Sequence, residues 1–139
     1  MSENAPNFQY RALVTRVVDG DTLDVSIDLG FRTWVKERVR LYGIDTPETY
    51  GVKKGSEEWT AGMAAKDAVL AWLDDSAPIG VGDPMGRWEV YLRSHDGKRL
   101  GQGKYGRWLV EVWPITDNEG AASLNAHLVA TGHAEQKEY

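Results

Sequence analysis

Apolar and polar residues alternate in the first part of the chain. In the segment LDVSIDL at 23–29, aliphatic residues occupy every second position, with Asp or Ser between them. This period of two predicts a half-buried strand. Segments 10–18 and 34–44 are rich in β-forming residues and predict a strand on either side. We therefore expect an antiparallel meander with turns at 19–21 and near Gly30.

A helical pattern follows at 56–75. Ser56 is a suitable N-cap, and acidic residues occupy the first turn. Apolar residues recur near one face of this segment: Trp59, Met63, Leu70 and Leu73. The next stretch, 76–86, carries Pro and Gly and predicts an irregular connection.

The second half predicts two more strands and a short helix. The strands fall at 88–94 and 107–113, joined by a glycine-rich turn, and the helix at 123–131 stops at Gly132. The order β-β-β-α-β-β-α favours a mainly β fold with inserted helices, a five-stranded barrel of the oligonucleotide-binding (OB) type. A split-sheet α+β sandwich is the alternative that periodicity leaves open.

Length and composition limit what the protein can be. The 139 residues predict a single domain, 1–139, with flexible ends at 1–8 and 135–139. The absence of cysteine excludes disulfides, iron–sulfur clusters and thiolate zinc sites. The start shows neither a signal-peptide pattern nor a membrane-length apolar run, so we expect a soluble cytoplasmic protein that does not act on membranes.

The charge balance restricts the choice of partner. With 16 Lys and Arg against 21 Asp and Glu, the net charge is −5, which argues against bulk electrostatic binding of nucleic acid. A polyanionic partner therefore requires a local basic patch or a bound metal ion.

Two acidic segments are candidates for chemistry. Asp19-Gly20-Asp21-Thr22 lies in a predicted turn, where both carboxylates can face one cavity, although a solvated hairpin turn has the same composition. Asp45-Thr46-Pro47-Glu48 closes the third strand, and Pro47 restricts the residue before it. Carboxylates with a neutral oxygen between them are the ligands that Ca²⁺ takes, and no histidine pair has zinc spacing. If an ion binds, we expect calcium or magnesium.

Two arginines accompany these segments. Arg40 lies on the third predicted strand, and Arg107 begins the fifth, so the two could share a cavity. Two guanidinium groups beside oxygen ligands and a spare carboxylate suit a phosphodiester, although each arginine alone could be a surface ion-pair partner. The G-x-G-x-x-G match at 101–106 is not a dinucleotide site, because a strand rather than a helix follows it.

Four segments together resemble the signature segments of the staphylococcal nuclease family. In chain order they are VVDGDTLDV, RLYGIDTPE, KYGR and LNAHLVATGHA. The resemblance covers residues 14–134. It implies an OB-type barrel with inserted helices that hydrolyses DNA and RNA with Ca²⁺.

The same resemblance implies site residues. Calcium ligands fall on Asp21, Asp45 and the backbone carbonyl of Thr46, with Asp19 near the ion through water. The general base falls on Glu48, and the two residues that hold the phosphate are Arg40 and Arg107. The implied substrate contacts are Lys104, Tyr105 and Lys54.

One departure from the family concerns the bases of the substrate. The late tyrosine that packs on a base has no counterpart in register, and Tyr139 is displaced from that position. We expect a monomer whose partner is DNA or RNA. The alternative is a non-catalytic module of the same fold that binds nucleic acid or protein.

Overall fold

The computed structural model describes residues 8–76, 88–100, 107–115 and 121–137, with side chains described as far as residue 94 in the second range. In chain order the elements in these ranges are β1 (Gln9–Asp19), β2 (Thr22–Asp28), β3 (Trp34–Leu41), β4 (Ile44–Asp45), α1 (Glu57–Ser76), β5 (Trp88–Leu100), β6 (Arg107–Pro114), α2 (Leu124–Ala130) and β7 (Glu135–Gln136).

A closed barrel forms from five of the described strands, in the order β1-β2-β3-β6-β5. Neighbouring strands are antiparallel except β3 and β6, which are parallel, and β1 pairs with β5 to close the circle. This architecture, with two inserted helices, confirms the predicted OB-type fold. The residues that alternate along β2 divide accordingly, since Leu23 and Val25 are buried inside the barrel while Leu29 lies exposed beyond its rim.

The predicted third strand is two strands. It ends at Leu41, and the chain turns at Gly43, whose φ of +81° lies in the left-handed region that suits glycine. The following β4 pairs with β7, and the Lys137 amide donates to the Gly43 carbonyl at 2.8 Å. These two-residue strands lie partly in the segment expected to be flexible, and they are too short to show periodicity in the sequence.

Each helix begins after a serine cap, and the sequence predicted the one at Ser56. The Ser56 hydroxyl accepts from the Trp59 amide at 3.2 Å, and the Ser123 hydroxyl accepts from the Ala126 amide at 3.1 Å. The buried Asn125 of α2 then joins distant parts of the fold, since its amide group donates to the Tyr42 carbonyl and accepts from the Val112 amide. Neither helix in the described ranges has the length and apolar character needed to cross a membrane.

Small residues let α1 pack closely on two loops. A Cβ built at Gly62 would lie 2.7 Å from Thr49 Cγ2 and 2.8 Å from the Pro47 carbonyl oxygen. A Cβ built at Gly20 would lie 2.8 Å from the Cβ of Ala65. Real Cβ atoms do not approach neighbours so closely, so only glycine fits at these two positions. Helix α1 therefore fixes the β1–β2 turn and the segment after β4 against each other.

We expect Gly62→Ala to lower the free energy of unfolding by about 1 to 3 kcal/mol, because the added methyl group overpacks the contact with residues 47–49. On helix propensity alone the same substitution should stabilise α1 by up to about 1 kcal/mol. Urea unfolding measures the difference. Thr60→Ala, at an exposed position two residues earlier in α1, is the matched control and should be neutral or slightly stabilising. A Gly62→Ala variant more stable than the wild type would contradict the close contact.

Candidate active site

The turn between β1 and β2 holds a buried carboxylate. Asp21 is 4% exposed, and its carbonyl accepts from the Leu41 amide at 2.9 Å, which fastens the turn to the end of β3. Its carboxylate accepts from the Thr22 hydroxyl at 3.0 Å and from the Thr46 amide at 3.2 Å. The second of these bonds spans 25 residues of sequence. The two acidic segments are therefore neighbours in the fold.

Arg40 joins the same two segments electrostatically. Its Nη2 lies 3.1 Å from a carboxylate oxygen of Asp21 and 2.8 Å from one of Asp45. The Arg40 side chain is 11% exposed and that of Asp21 is 6% exposed, whereas Asp45 remains 43% exposed. Partial burial strengthens an ion pair, because less water screens the charges. One guanidinium thus bridges carboxylates contributed by the β1–β2 turn and by β4.

The acidic residues on either side of this bridge are also held in place. The Thr49 hydroxyl donates to the Asp19 carboxylate, so the loop after Glu48 is tied to the end of β1. Glu48 itself is exposed. It follows Pro47, whose carbonyl lies against Gly62 of α1. The backbone of Glu48 is therefore fixed while its side chain can meet solvent.

A cavity of about 540 Å³ is lined by the three predicted catalytic residues, Arg40, Glu48 and Arg107. Two of the four predicted metal ligands, Asp19 and Asp21, line it as well. The Nε of Arg107 is buried and finds no hydrogen-bond acceptor in the part of the chain that the structure describes. Buried donors are rarely left without a partner in folded proteins, and exceptions often mark functional sites. A second guanidinium group, that of Arg107, therefore lies in the same cavity as the carboxylates.

The environment of Glu48 favours its protonated form. Neighbouring atoms displace part of its water, and this desolvation is the main cause that raises the pKa of Glu48 above its usual value. The charges of Asp21, Asp19 and Asp45 raise the pKa further, while Arg40 lowers it. In its effect on the pKa of Glu48, repulsion by the aspartates therefore outweighs attraction by Arg40.

Other predicted residues lie elsewhere. Asp45 and Thr46 line a neighbouring cavity of about 360 Å³, which Glu48 also lines. Lys54 is exposed in the loop before α1 and lines neither of these cavities. The predicted substrate contacts Lys104 and Tyr105 lie outside the described residues.

The main cavity also has lining residues that the sequence did not assign to a site. Among them are Arg16, Arg38, Tyr50, Trp59 and Met63. The sequence pattern places Trp59 and Met63 on the apolar face of α1, since a spacing of four residues is typical of core packing. The structure shows that this face changes role along the helix, because Leu73 is fully buried while Trp59 and Met63 are half-buried at the cavity.

The oxygen atoms near Arg40 have the chemistry of a hard-cation site. In the described ranges, no three carboxylate or imidazole groups are grouped closely enough to form a metal site as they stand. Nη2 of Arg40 contacts both Asp21 and Asp45 instead. The donors are nevertheless hard oxygens. After desolvation, the charges of the neighbouring aspartates also raise the pKa of Glu48, and a cation would offset that negative charge. The residues therefore fit a divalent ion such as Ca²⁺ in donor type and in charge.

The fold and cavity define an OB-type barrel with carboxylates and arginines gathered at one polar site. No protein-family model matches the chain. Over 127 residues, 91% of its length, the chain is 34% identical to a thermonuclease of Staphylococcus intermedius. This similarity supports a staphylococcal-nuclease-like family, which the sequence motifs also indicated. The matched part is 60% of that relative, so the chain spans less than two thirds of its length.

The raised pKa of Glu48 predicts how its removal changes stability. Ionised Glu48 costs stability, and this cost appears as the pH rises from about 4.3, the unfolded value, through the higher folded pKa. Glu48→Gln should therefore be slightly more stable than the wild type at pH 7, with the gain shrinking as the pH falls through the folded pKa and lost below about 4.

Thermal unfolding with a chelator present measures the stability difference between Glu48→Gln and the wild type at pH 7 and at low pH. Glu57→Gln is the control, because it removes a carboxylate from the first turn of α1, where a negative charge is favourable. That variant should be slightly less stable at pH 7. A Glu48→Gln variant less stable than the wild type at pH 7 would show that Glu48 is not crowded by negative charge.

Proposed function

We propose that this protein is a Ca²⁺-dependent nuclease that hydrolyses phosphodiester bonds of DNA and RNA with little sequence specificity. The observation that carries the proposal is the shared cavity, in which Glu48 and Asp21 face Arg40 and Arg107. The buried Nε of Arg107 has no acceptor among the described residues. Similarity to a thermonuclease supports the same reaction class. A phosphodiester has the negative oxygens that two guanidinium groups bind well.

The arginines have the charge that the transition state requires. When water attacks phosphorus, negative charge grows on the non-bridging oxygens, and fixed donors aimed at them stabilise it. Arg40 is held by Asp21 and Asp45, so its guanidinium is already ordered. The Arg107 Nε is already desolvated, so it gains a partner without losing water. One donor of this kind is typically worth about 3 to 4 kcal/mol of transition-state stabilisation.

Glu48 is the group that accepts the proton. In the proposed step its carboxylate removes a proton from a water molecule as that oxygen bonds to phosphorus. The bond to the leaving oxygen breaks, and the leaving group takes a proton from solvent. General-base catalysis of this type contributes about 10²- to 10⁴-fold. The raised pKa makes Glu48 a stronger base than an ordinary glutamate.

The cation would be held by Asp21, Asp45 and the carbonyl of Thr46, with Asp19 close by. When bound, Ca²⁺ supplies Lewis-acid stabilisation of the phosphate and orients water. The partial neutralisation of these carboxylates also reduces their repulsion of the substrate, which matters in a chain with a net charge of −5. We keep Lys104, Tyr105 and Lys54 as proposed substrate contacts.

We expect Glu48→Gln, Arg40→Ala and Arg107→Ala each to lower kcat/KM for DNA by at least about two orders of magnitude. Each removes a group that acts in the transition state. The assay is cleavage of single- and double-stranded DNA and RNA with Ca²⁺, and again with a chelator. Arg93→Ala is the matched control, since Arg93 is exposed on β5 and does not line the cavity. Circular dichroism confirms that the variants remain folded.

Two outcomes would contradict the proposal. Full activity of Glu48→Gln or Arg107→Ala would remove the proposed mechanism. A wild-type protein that binds nucleic acid with Ca²⁺ but never cleaves it would identify the alternative, a non-catalytic binding module of this fold.

A further inference from the structure

The active-site cavity extends beyond the groups that the reaction uses. At about 540 Å³ it falls within the range of pockets that hold whole small ligands, whereas one phosphate group needs far less. Eight of its lining residues have no part in the proposed chemistry, and they include two arginines, two aromatic residues and a methionine. Arginines beside aromatic rings are the combination with which proteins bind single-stranded nucleic acid.

Aromatic side chains form one part of this extension. Trp59 lies in the first turn of α1 and is half-buried, with Met63 one turn further along at the same cavity. Tyr50 belongs to the loop before α1 and is 90% exposed. An exposed tyrosine has no packing role to explain it, and the backbone of Trp59 is held because its amide donates to the Ser56 hydroxyl. The two rings therefore offer one half-buried and one exposed surface for stacking.

Two arginines form the second part of this extension of the cavity. Arg16 on β1 and Arg38 on β3 flank Asp24 of β2, since Asp24 is in register with both. Arg38 pairs with Asp24 through two bonds, of 2.8 and 3.2 Å. Within the described residues no carboxylate forms an ion pair with Arg16, so the row of three carries one net positive charge. This is the kind of local basic patch that an acidic chain needs to hold a polyanion.

We propose that Trp59, Tyr50, Arg16 and Arg38 form a subsite for an unpaired nucleotide next to the scissile phosphate. The inference rests on the proposed nuclease function and adds to it the part of the substrate that is not cleaved. The rings stack on the base, and the arginines hold the adjoining backbone phosphate. Because the base of a duplex is already stacked and paired, the subsite selects single-stranded segments. It also supplies a base contact in a chain whose late tyrosine is out of register.

The aromatic part is tested by binding. A fluorescent single-stranded oligonucleotide is titrated with Ca²⁺ present into Glu48→Gln protein, and anisotropy gives Kd. Added to that background, Trp59→Leu and Tyr50→Leu should each raise Kd at least about fivefold, while Trp59→Phe should stay within about threefold, because phenylalanine also stacks. Trp34→Leu is the control, an exposed tryptophan that does not line the cavity.

Duplex of the same sequence separates stacking from a general loss of structure. The rise in Kd should be confined to the single strand. An equal loss on duplex, or no loss with either leucine variant, would overturn the subsite. If Trp59→Leu misfolds, Tyr50→Leu still tests the subsite, because a side chain that is 90% exposed contributes little to the core.

The basic part is tested by salt dependence in the same assay. Removing an arginine that binds a phosphate should reduce the slope of log Kd against log salt by about 0.7 for a single strand. The double variant Arg16→Gln, Arg38→Gln should thus lower it by about 0.7 to 1.4, and Arg93→Gln should leave it unchanged. An unchanged slope in the double variant would overturn the phosphate contact. Because binding is measured without turnover, a wild type that fails to cleave would contradict the nuclease proposal alone.

Discussion

The bridge from Arg40 to Asp21 and Asp45 is the interaction on which the site depends. It connects the β1–β2 turn with β4, two segments that the chain separates by the whole of β2 and β3. A cation held between carboxylates in a partly buried place offsets repulsion that would otherwise drive those turns apart. The guanidinium of Arg40 has five N–H donors, more than its two carboxylate contacts use. Arg40 can therefore hold the two segments together and still bind a phosphate in the proposed reaction.

Helix α1 makes this arrangement rigid. Gly62 and Ala65 let it approach the backbone after β4 and the β1–β2 turn so closely that neither can shift without the other. Catalytic groups must keep their geometry to be effective, and packed neighbours are what keeps it. The same helix carries Trp59 and Met63 into the cavity. One element therefore positions the acidic residues and forms a wall of the space that a substrate would occupy.

Patterns among neighbouring residues predicted the barrel well. They did not predict the contacts between segments that are distant in the sequence. The alternation in β2, the Ser56 cap and the stop at Gly132 are all properties of a few neighbouring residues. The short β4 and β7 have no periodicity, and each exists only through its partner. Nothing in the segment around Gly62 shows that Pro47 and Thr49 lie against it. In the same way, the segments around Arg16 and Arg38 do not show that both arginines line the cavity.

The proposed function depends on charge, because an acidic chain would have to bring a polyanion to a cluster of carboxylates. In the proposed site, Ca²⁺ bound by Asp21 and Asp45 makes this possible, and Arg107 receives the phosphate. A crystal structure with Ca²⁺ and a nucleoside 3′,5′-bisphosphate tests this most directly. We predict the ion in contact with oxygens of Asp21, Asp45 and Thr46, and a phosphate on the Arg107 guanidinium. An ion bound elsewhere, or a phosphate that does not touch Arg107, would contradict the account.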